Sequence, residues 1–224
     1  YRDWPAHLPD DVEVVPVQLP GRENRFHEAP IESMELLAGP LLDGLASYLT
    51  PPFALFGHSM GALIAFELVR QMRPSGVAPV HLFAAGCRAP DLPRRSPDRR
   101  ALPDQEFLTT VEELGGIPPE VLAQRQFLEA IVPTLRSDYT LVETYACRPQ
   151  APLGCPVSAF GGRSDEDVPP EDVRAWSRHT TGPFRVHLLP GGHFFVNSSR
   201  RDLLRLMVSE LGMGSRTPSG EGAA

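Results

Sequence analysis

The sequence predicts an α/β protein: a mostly parallel sheet with helices on both faces and a helical insertion over it. Two patterns point there. Short apolar runs alternate with segments of helical periodicity, as strand–helix–strand crossovers require. That alternation lapses between about 87 and 150, where helical patterns follow one another with no strand between them. The lapse reads as a lid inserted into a single domain of residues 1–211, a length one α/β unit commonly reaches.

The elements are expected in the following order. Residues 12–18 (Val-Glu-Val-Val-Pro-Val-Gln) read as a β-rich run, which Leu19-Pro20-Gly21-Arg22 breaks. Met34, Leu37, Leu41, Leu45 and Leu49 lie at helical spacing and predict a helix over 31–49, stopped by Pro51-Pro52. Phe53-Ala54-Leu55-Phe56 is a short buried strand and Gly57–Gly61 a turn. A helix over 62–72 ends at Pro74, Ser75 and Gly76, and residues 80–85 form a further buried strand. Residues 86–100 are a Pro/Arg-rich loop. Helices are predicted over 104–114, 118–123 and 127–143, a strand over 156–160 and a helix through 173–177. A strand over 184–189 and a closing helix over 200–211 follow. The Gly/Ser/Pro-rich residues 212–224 read as a disordered tail.

Composition excludes several function classes. The formal charge is −7, and all 21 basic residues are arginine. That balance argues against nucleic-acid binding, which needs a basic face. Arg94, Arg95, Arg99 and Arg100 form the one basic cluster, readable as a solvated loop or as a docking patch for an acidic partner. Cys87, Cys147 and Cys155 are odd in number and carry no CxxC spacing, so reduced thiols in a cytoplasm are expected rather than a disulfide framework or a metal site. No run approaches a membrane span and no signal peptide opens the sequence.

The chemistry is carried by Gly57-His58-Ser59-Met60-Gly61, between an apolar strand and a helix. A serine on such a sharp turn needs small neighbours two residues away, here Gly57 and Gly61, and its hydroxyl stands clear of the sheet edge. The helix N-terminus then faces the reacting carbonyl, and the Met60 amide can donate to an oxyanion. Ser59 needs a base, and in this arrangement the order is serine, acid, histidine. His7 and His27 precede Ser59. His58 reads as a packing residue, His81 and His187 lie in strands, and His179 lies at a polar helix end. His193, in Pro190-Gly191-Gly192-His193-Phe194-Phe195, is the candidate base. Asp165 is the candidate acid with Asp167 as runner-up; Asp138 and Asp172 read as surface groups. The acid's task is to hold the imidazole tautomer and to stabilise the imidazolium.

With these residues in hand, the sequence resembles the type II thioesterases of polyketide and nonribosomal peptide biosynthesis, enzymes of the α/β-hydrolase fold. Residues 17–25 (with Leu19-Pro20-Gly21-Arg22), 56–62, 160–168 and 190–195 carry the resemblance. It implies hydrolysis of acyl groups from the phosphopantetheine arm of acyl or peptidyl carrier protein domains, with Ser59, His193 and Asp165 as triad and Met60 as one oxyanion donor. It implies no metal or organic cofactor beyond the phosphopantetheine that the substrate carries, and lid helices over a mostly apolar acyl chamber. Met60 and the apolar face of residues 127–141 are candidate lining, though most of the latter read as core packing. A monomer is expected. Members of the family carry a strand and a Phe-Pro-Tyr-Ala-Gly-Gly-like turn ahead of the segment matching Tyr1-Arg2-Asp3-Trp4-Pro5. The expectation is therefore of a chain truncated at its start. It would lack one oxyanion donor, at a cost of roughly 10²–10³ in turnover. An integrated chain-terminating thioesterase domain and a non-catalytic carrier-binding module are the rival readings.

Overall fold

The computed structural model describes residues 1–95, 98–115 and 124–213. The predicted helix over 118–123 and the tail from 214 lie outside them. Among the described residues four strands form one parallel sheet in chain order: β1 (Ala54–His58), β2 (His81–Ala85), β3 (Val157–Gly162) and β4 (Phe184–Leu189).

Alternation along the central strands sorts side chains onto two faces. Leu82, Ala84, Val157 and Ala159 pack in one cluster, with α1 (Met34–Leu45) and α2 (Met60–Met72) supplying Leu37, Leu63 and Phe66. Phe83, Ala85 and Phe160 pack in the other, against Phe195 of α6 (Phe195–Ser198) and Leu203, Leu204 and Met207 of α7 (Arg200–Glu210). Helices thus cover both faces. The short α5 (Pro170–Arg174) runs on into a 3₁₀ turn at Ala175–His179, where Trp176 is fully buried and donates its indole N–H to the Cys87 carbonyl at 2.8 Å.

Between β2 and β3 lie α3 (Asp104–Glu113) and α4 (Arg125–Thr144). They pack on each other through Phe107, Val111, Leu128, Leu135 and Tyr139. Arg136 closes the pair: its guanidinium lies 4.5 Å over the Phe107 ring and donates to the carbonyls of Arg100 and Leu102.

Three expectations need correction. Residues 12–18 form no strand. Pro16 removes a ladder donor in mid-run, and Val15 and Val17 stay exposed, so the β-favouring composition finds no partner to pair with. The helix predicted over 31–49 is shorter at both ends. Glu32 accepts the Ser137 hydroxyl from α4, and Ser33 is extended (φ −133°, ψ 134°), so the first residues serve as a tie to the insertion rather than as a helical turn. The segment 173–177 divides between the end of α5 and the 3₁₀ turn.

Candidate active site

Ser59 joins β1 to α2 with φ 54° and ψ −118°, a backbone region that costs a residue with a side chain about 1–3 kcal/mol and recurs at functional sites. Its amide donates to the Ala85 carbonyl at 2.8 Å, tying the turn to the end of β2. The steric demand falls on Gly57 alone. A Cβ there would sit 2.0 Å from the Gly61 carbonyl oxygen, whereas a Cβ on Gly61 would meet nothing within 4 Å. The sequence reading assigned the need for smallness to both glycines, and the structure corrects it for Gly61. Gly57→Ala is accordingly expected to cost more than about 3 kcal/mol or to abolish soluble expression. Gly61→Ala, in the first turn of α2, should melt within about 1 kcal/mol of the parent. Thermal melts of the two variants check the contrast.

Met60 opens α2, so its amide belongs to the first helical turn, whose N–H groups have no intrahelical acceptor. His193 follows β4 through Gly191 (φ 112°) and Gly192. This loop lies close against the end of β3: a Cβ on Gly162 would fall 2.3 Å from the Gly192 carbonyl oxygen, and Ser164 N–H donates to Gly191 at 3.0 Å. The approach brings His193 Nδ1 to 2.9 Å from Asp165 Oδ2. The second oxygen, Asp165 Oδ1, accepts the amides of Asp167 and Val168, each at 3.1 Å. The Asp165 side chain is 1% exposed and that of His193 12%. The runner-up, Asp167, turns elsewhere: both its oxygens lie 3.0 Å from Arg99 Nη2.

The other histidines have separate places. His81 meets Ser158 Oγ, His187 meets Glu210, and His179 meets Asp91. His7 and His27 are exposed. His58 packs beside His193.

Ser59 and His193 border a cavity of about 280 Å³ under the insertion. Leu63, Leu92, Leu135, Val142 and Phe194 give it apolar walls. Of the candidate lining, Met60 and, from α4, Leu135 and Tyr139 border it. Val132 and Leu141 are buried core, and Phe127 faces outward, 49% exposed. Cys87 also borders it, and burial pushes its thiol up to about 12, so it supplies no thiolate near neutral pH.

One wall of the chamber is ionic, and sequence reasoning missed it. The four arginines are not a free basic patch. Arg94 pairs with Glu143 at 2.9 Å, Arg95 with Asp172 at 2.8 Å, Arg99 with Asp167, and Arg100 with Asp98 at 3.0 Å. Burial and the Asp98 carboxyl together push Glu143 up, while the amides of Arg99 and Arg100 and the Arg94 charge pull it back. Asp172 and Asp138 are not surface groups either. Asp172 is 2% exposed, and Asp138 borders the chamber, its carboxylate 2.7 Å from Arg22 Nη2.

The Arg22 pair explains the Leu19-Pro20-Gly21-Arg22 segment. Thr134, Ser137 and Asp138 share one face of α4, and each bonds to the N-terminal part of the chain: to the Gly21 carbonyl at 2.8 Å, to Glu32 at 3.0 Å and to Arg22. The segment pins the insertion over the chamber. Burial pushes the Asp138 carboxyl up, and Arg22 opposes it. Removing the guanidinium leaves a poorly solvated carboxylate, so Arg22→Met should cost about 1–3 kcal/mol at neutral pH. The cost should shrink as pH falls through the raised Asp138 pKa, because a protonated carboxyl needs no cation. Melting curves at two pH values test both the size and the sign.

Among the described residues no His/Cys/Asp/Glu group could hold a metal ion, and no helix is long and apolar enough to cross a membrane.

With this geometry fixed, known proteins give a consistent likeness. A family model described as a thioesterase domain matches residues 1–209. The chain is 41% identical over 215 residues to linear gramicidin dehydrogenase LgrE of Brevibacillus parabrevis, covering 94% of this chain and 82% of that one. It is 40% identical over 200 residues to thioesterase PikA5 of Streptomyces venezuelae, covering 88% and 70%. The solved structure of RedJ, a thioesterase from the prodiginine biosynthetic pathway in Streptomyces coelicolor, matches with a TM-score of 0.87 at 42% identity, covering 93% of this chain and 84% of that one.

Proposed function

The chain belongs to the thioesterase family, with an α/β-hydrolase fold and relatives among the type II thioesterases of nonribosomal peptide and polyketide pathways, and we propose that it clears acyl groups from the phosphopantetheine arm of acyl or peptidyl carrier protein domains, using Ser59, His193 and Asp165.

The observation that carries this reading is the buried His193–Asp165 pair at a chamber that Ser59 also borders. Asp165 Oδ2 accepts a hydrogen bond from Nδ1–H, which leaves the Nε2 lone pair free to take the Ser59 proton. Ser59 Oγ attacks the thioester carbonyl, and the oxyanion is met by the Met60 amide at the start of α2. The tetrahedral intermediate collapses to an acyl-serine while His193 returns its proton to the departing pantetheine thiol. Water, deprotonated by His193, attacks the ester; the acyl–Oγ bond breaks, His193 returns the proton to Ser59 Oγ, and the free acid leaves. Every proton is accounted for by one imidazole, so the cycle calls for no cofactor of the protein's own. The apolar walls formed by Leu63, Leu92, Leu135, Val142 and Phe194 suit an aliphatic acyl group.

The test is hydrolysis of one acyl group on a carrier protein and on N-acetylcysteamine, followed by a panel of carriers with different acyl groups. Carrier-bound substrate should show the higher kcat/KM. Equal rates would remove the carrier from the reading, and release of a macrocycle in place of a free acid would favour a chain-terminating domain. A fluorophosphonate that fails to label Ser59 would favour a carrier-binding module without catalysis.

A further inference from the structure

We propose that His58 is a positioning residue: its Nε2–H, donated to the His193 backbone carbonyl, holds the His193 imidazole in register with Asp165 and beside Ser59. This rests on the triad reading above and adds a residue to it.

His58 ends β1, next to the Ser59 turn, and its Nε2 lies 2.8 Å from the His193 carbonyl oxygen. A carbonyl can only accept, so Nε2 carries the proton, and in the neutral ring Nδ1 does not. The ring is enclosed by aromatic neighbours, with centroids 5.0 Å from His193, 5.4 Å from Phe194 and 6.1 Å from Phe195. Space for the bond is kept open by Gly86 at the end of β2. It has φ +55°, and a Cβ there would lie 2.6 Å from His58 Nε2. The ends of β1 and β2 and the loop after β4 therefore meet at one hydrogen bond.

The bond matters because of where the loop is otherwise held. Leu189 and Gly191 are fastened to the turn after β3 through the amides of Arg163 and Ser164, Pro190 accepts the Ser199 hydroxyl at 2.7 Å, and Gly192 accepts the Phe195 amide at 3.1 Å. None of these bonds engages the His193 peptide itself, whose placement sets the alignment of a base with two partners. The His58 bond fixes the peptide of His193 itself. Burial first, and then the His193 charge, push the His58 pKa down to about 4; the carbonyl bond and Asp165 oppose the shift. The titratable groups acting on it are these two, and near neutral pH the ring is neutral. Its low basicity, in a ring enclosed by aromatic neighbours, also makes the histidine adjacent to Ser59 in sequence a poor base.

The experiment compares His58→Phe, His58→Gln and His58→Asn on a soluble acyl-N-acetylcysteamine thioester, with a thermal melt of each. Phe keeps a ring without a donor. Its kcat should fall by about 10²-fold, the penalty typical of a misplaced catalytic group, with KM within about threefold. The acid limb of its kcat/KM profile should move to lower pH, because a looser Asp165 contact stabilises the His193 imidazolium less. Gln sets an amide N–H near the Nε2 position and should recover about tenfold or more of the loss, whereas the shorter Asn should not. A folded Phe variant with parental kcat and pH profile overturns the proposal. Should the Phe variant not fold, Gln above Asn supports it, and equal Gln and Asn rates overturn it. Ser59→Ala run alongside separates the two levels. Turnover retained there sinks the triad itself, while a dead Ser59→Ala beside a fully active His58→Phe sinks only the role of His58.

Discussion

Ser59→Ala is expected to remove thioester hydrolysis, with kcat falling by about 10⁴–10⁶-fold and only background from binding and the Met60 amide left. The fold should stay, because alanine keeps the Cβ and so carries the same backbone strain at φ 54° that serine already bears. The hydroxyl borders the chamber rather than the core, so its loss should move stability by no more than about 0.5 kcal/mol. Two measurements separate chemistry from folding. Hydrolysis of an acyl-carrier substrate should disappear while the melting temperature holds, and the mass shift from a fluorophosphonate should appear on the parent and be absent from the variant. Substantial turnover in a Ser59→Ala protein would require a nucleophile other than Ser59. Cys87, the nearby chamber thiol, is ill suited, since burial holds it protonated.

Much of this site could be read from the sequence because its parts are locally encoded. The Ser59 turn needs one glycine at one spacing and a strand and helix on either side. The His193 loop announces itself by two glycines after a strand. Side-chain environment was less legible, because it depends on what folds against a residue from far away. Asp138 sits on a helix that looks amphipathic in isolation, and its partner Arg22 is 116 residues distant. Arg95 and Asp172 are separated by 77 residues, and Arg99 and Asp167 by 68. A local reading therefore sees a basic loop and some solvated carboxylates where the fold makes ion pairs, two of which, Arg94–Glu143 and Arg99–Asp167, border the chamber. The same limit explains residues 12–18: β-favouring side chains describe a strand only when a neighbour offers a ladder, and Pro16 weakens the offer. Gly61 errs the other way. A pattern of two glycines invites one explanation for both, yet only Gly57 is crowded by backbone.

Asp165→Asn should be the second most damaging change, with kcat down by about 10⁴-fold near neutral pH. The two carboxylate oxygens have different tasks, and asparagine divides them. Its carbonyl oxygen can still accept the amides of Asp167 and Val168, as Asp165 Oδ1 does at 3.1 Å. That loop conformation should survive, and with it the fold. The amide nitrogen then occupies the Oδ2 position, 2.9 Å from His193 Nδ1. A donor there cannot accept the Nδ1 proton, so the imidazole is driven to the tautomer with Nδ1 bare and Nε2 protonated. In that tautomer His193 has no lone pair to offer Ser59. Asp165→Ala should differ in kind. It also strands two loop amides, one of them buried, and should cost about 1–3 kcal/mol of stability besides the activity. Asp167→Asn is the control. Asp167 serves Arg99 in the ionic wall, so its loss should alter KM or acyl preference far more than kcat. Comparing kcat across the three variants decides the acid. A crippled Asp167→Asn beside an active Asp165→Asn would transfer the role to Asp167. The reverse order, with Asp165→Asn folded and inactive, would tie the chemistry to the tautomer of His193 rather than to the integrity of the loop.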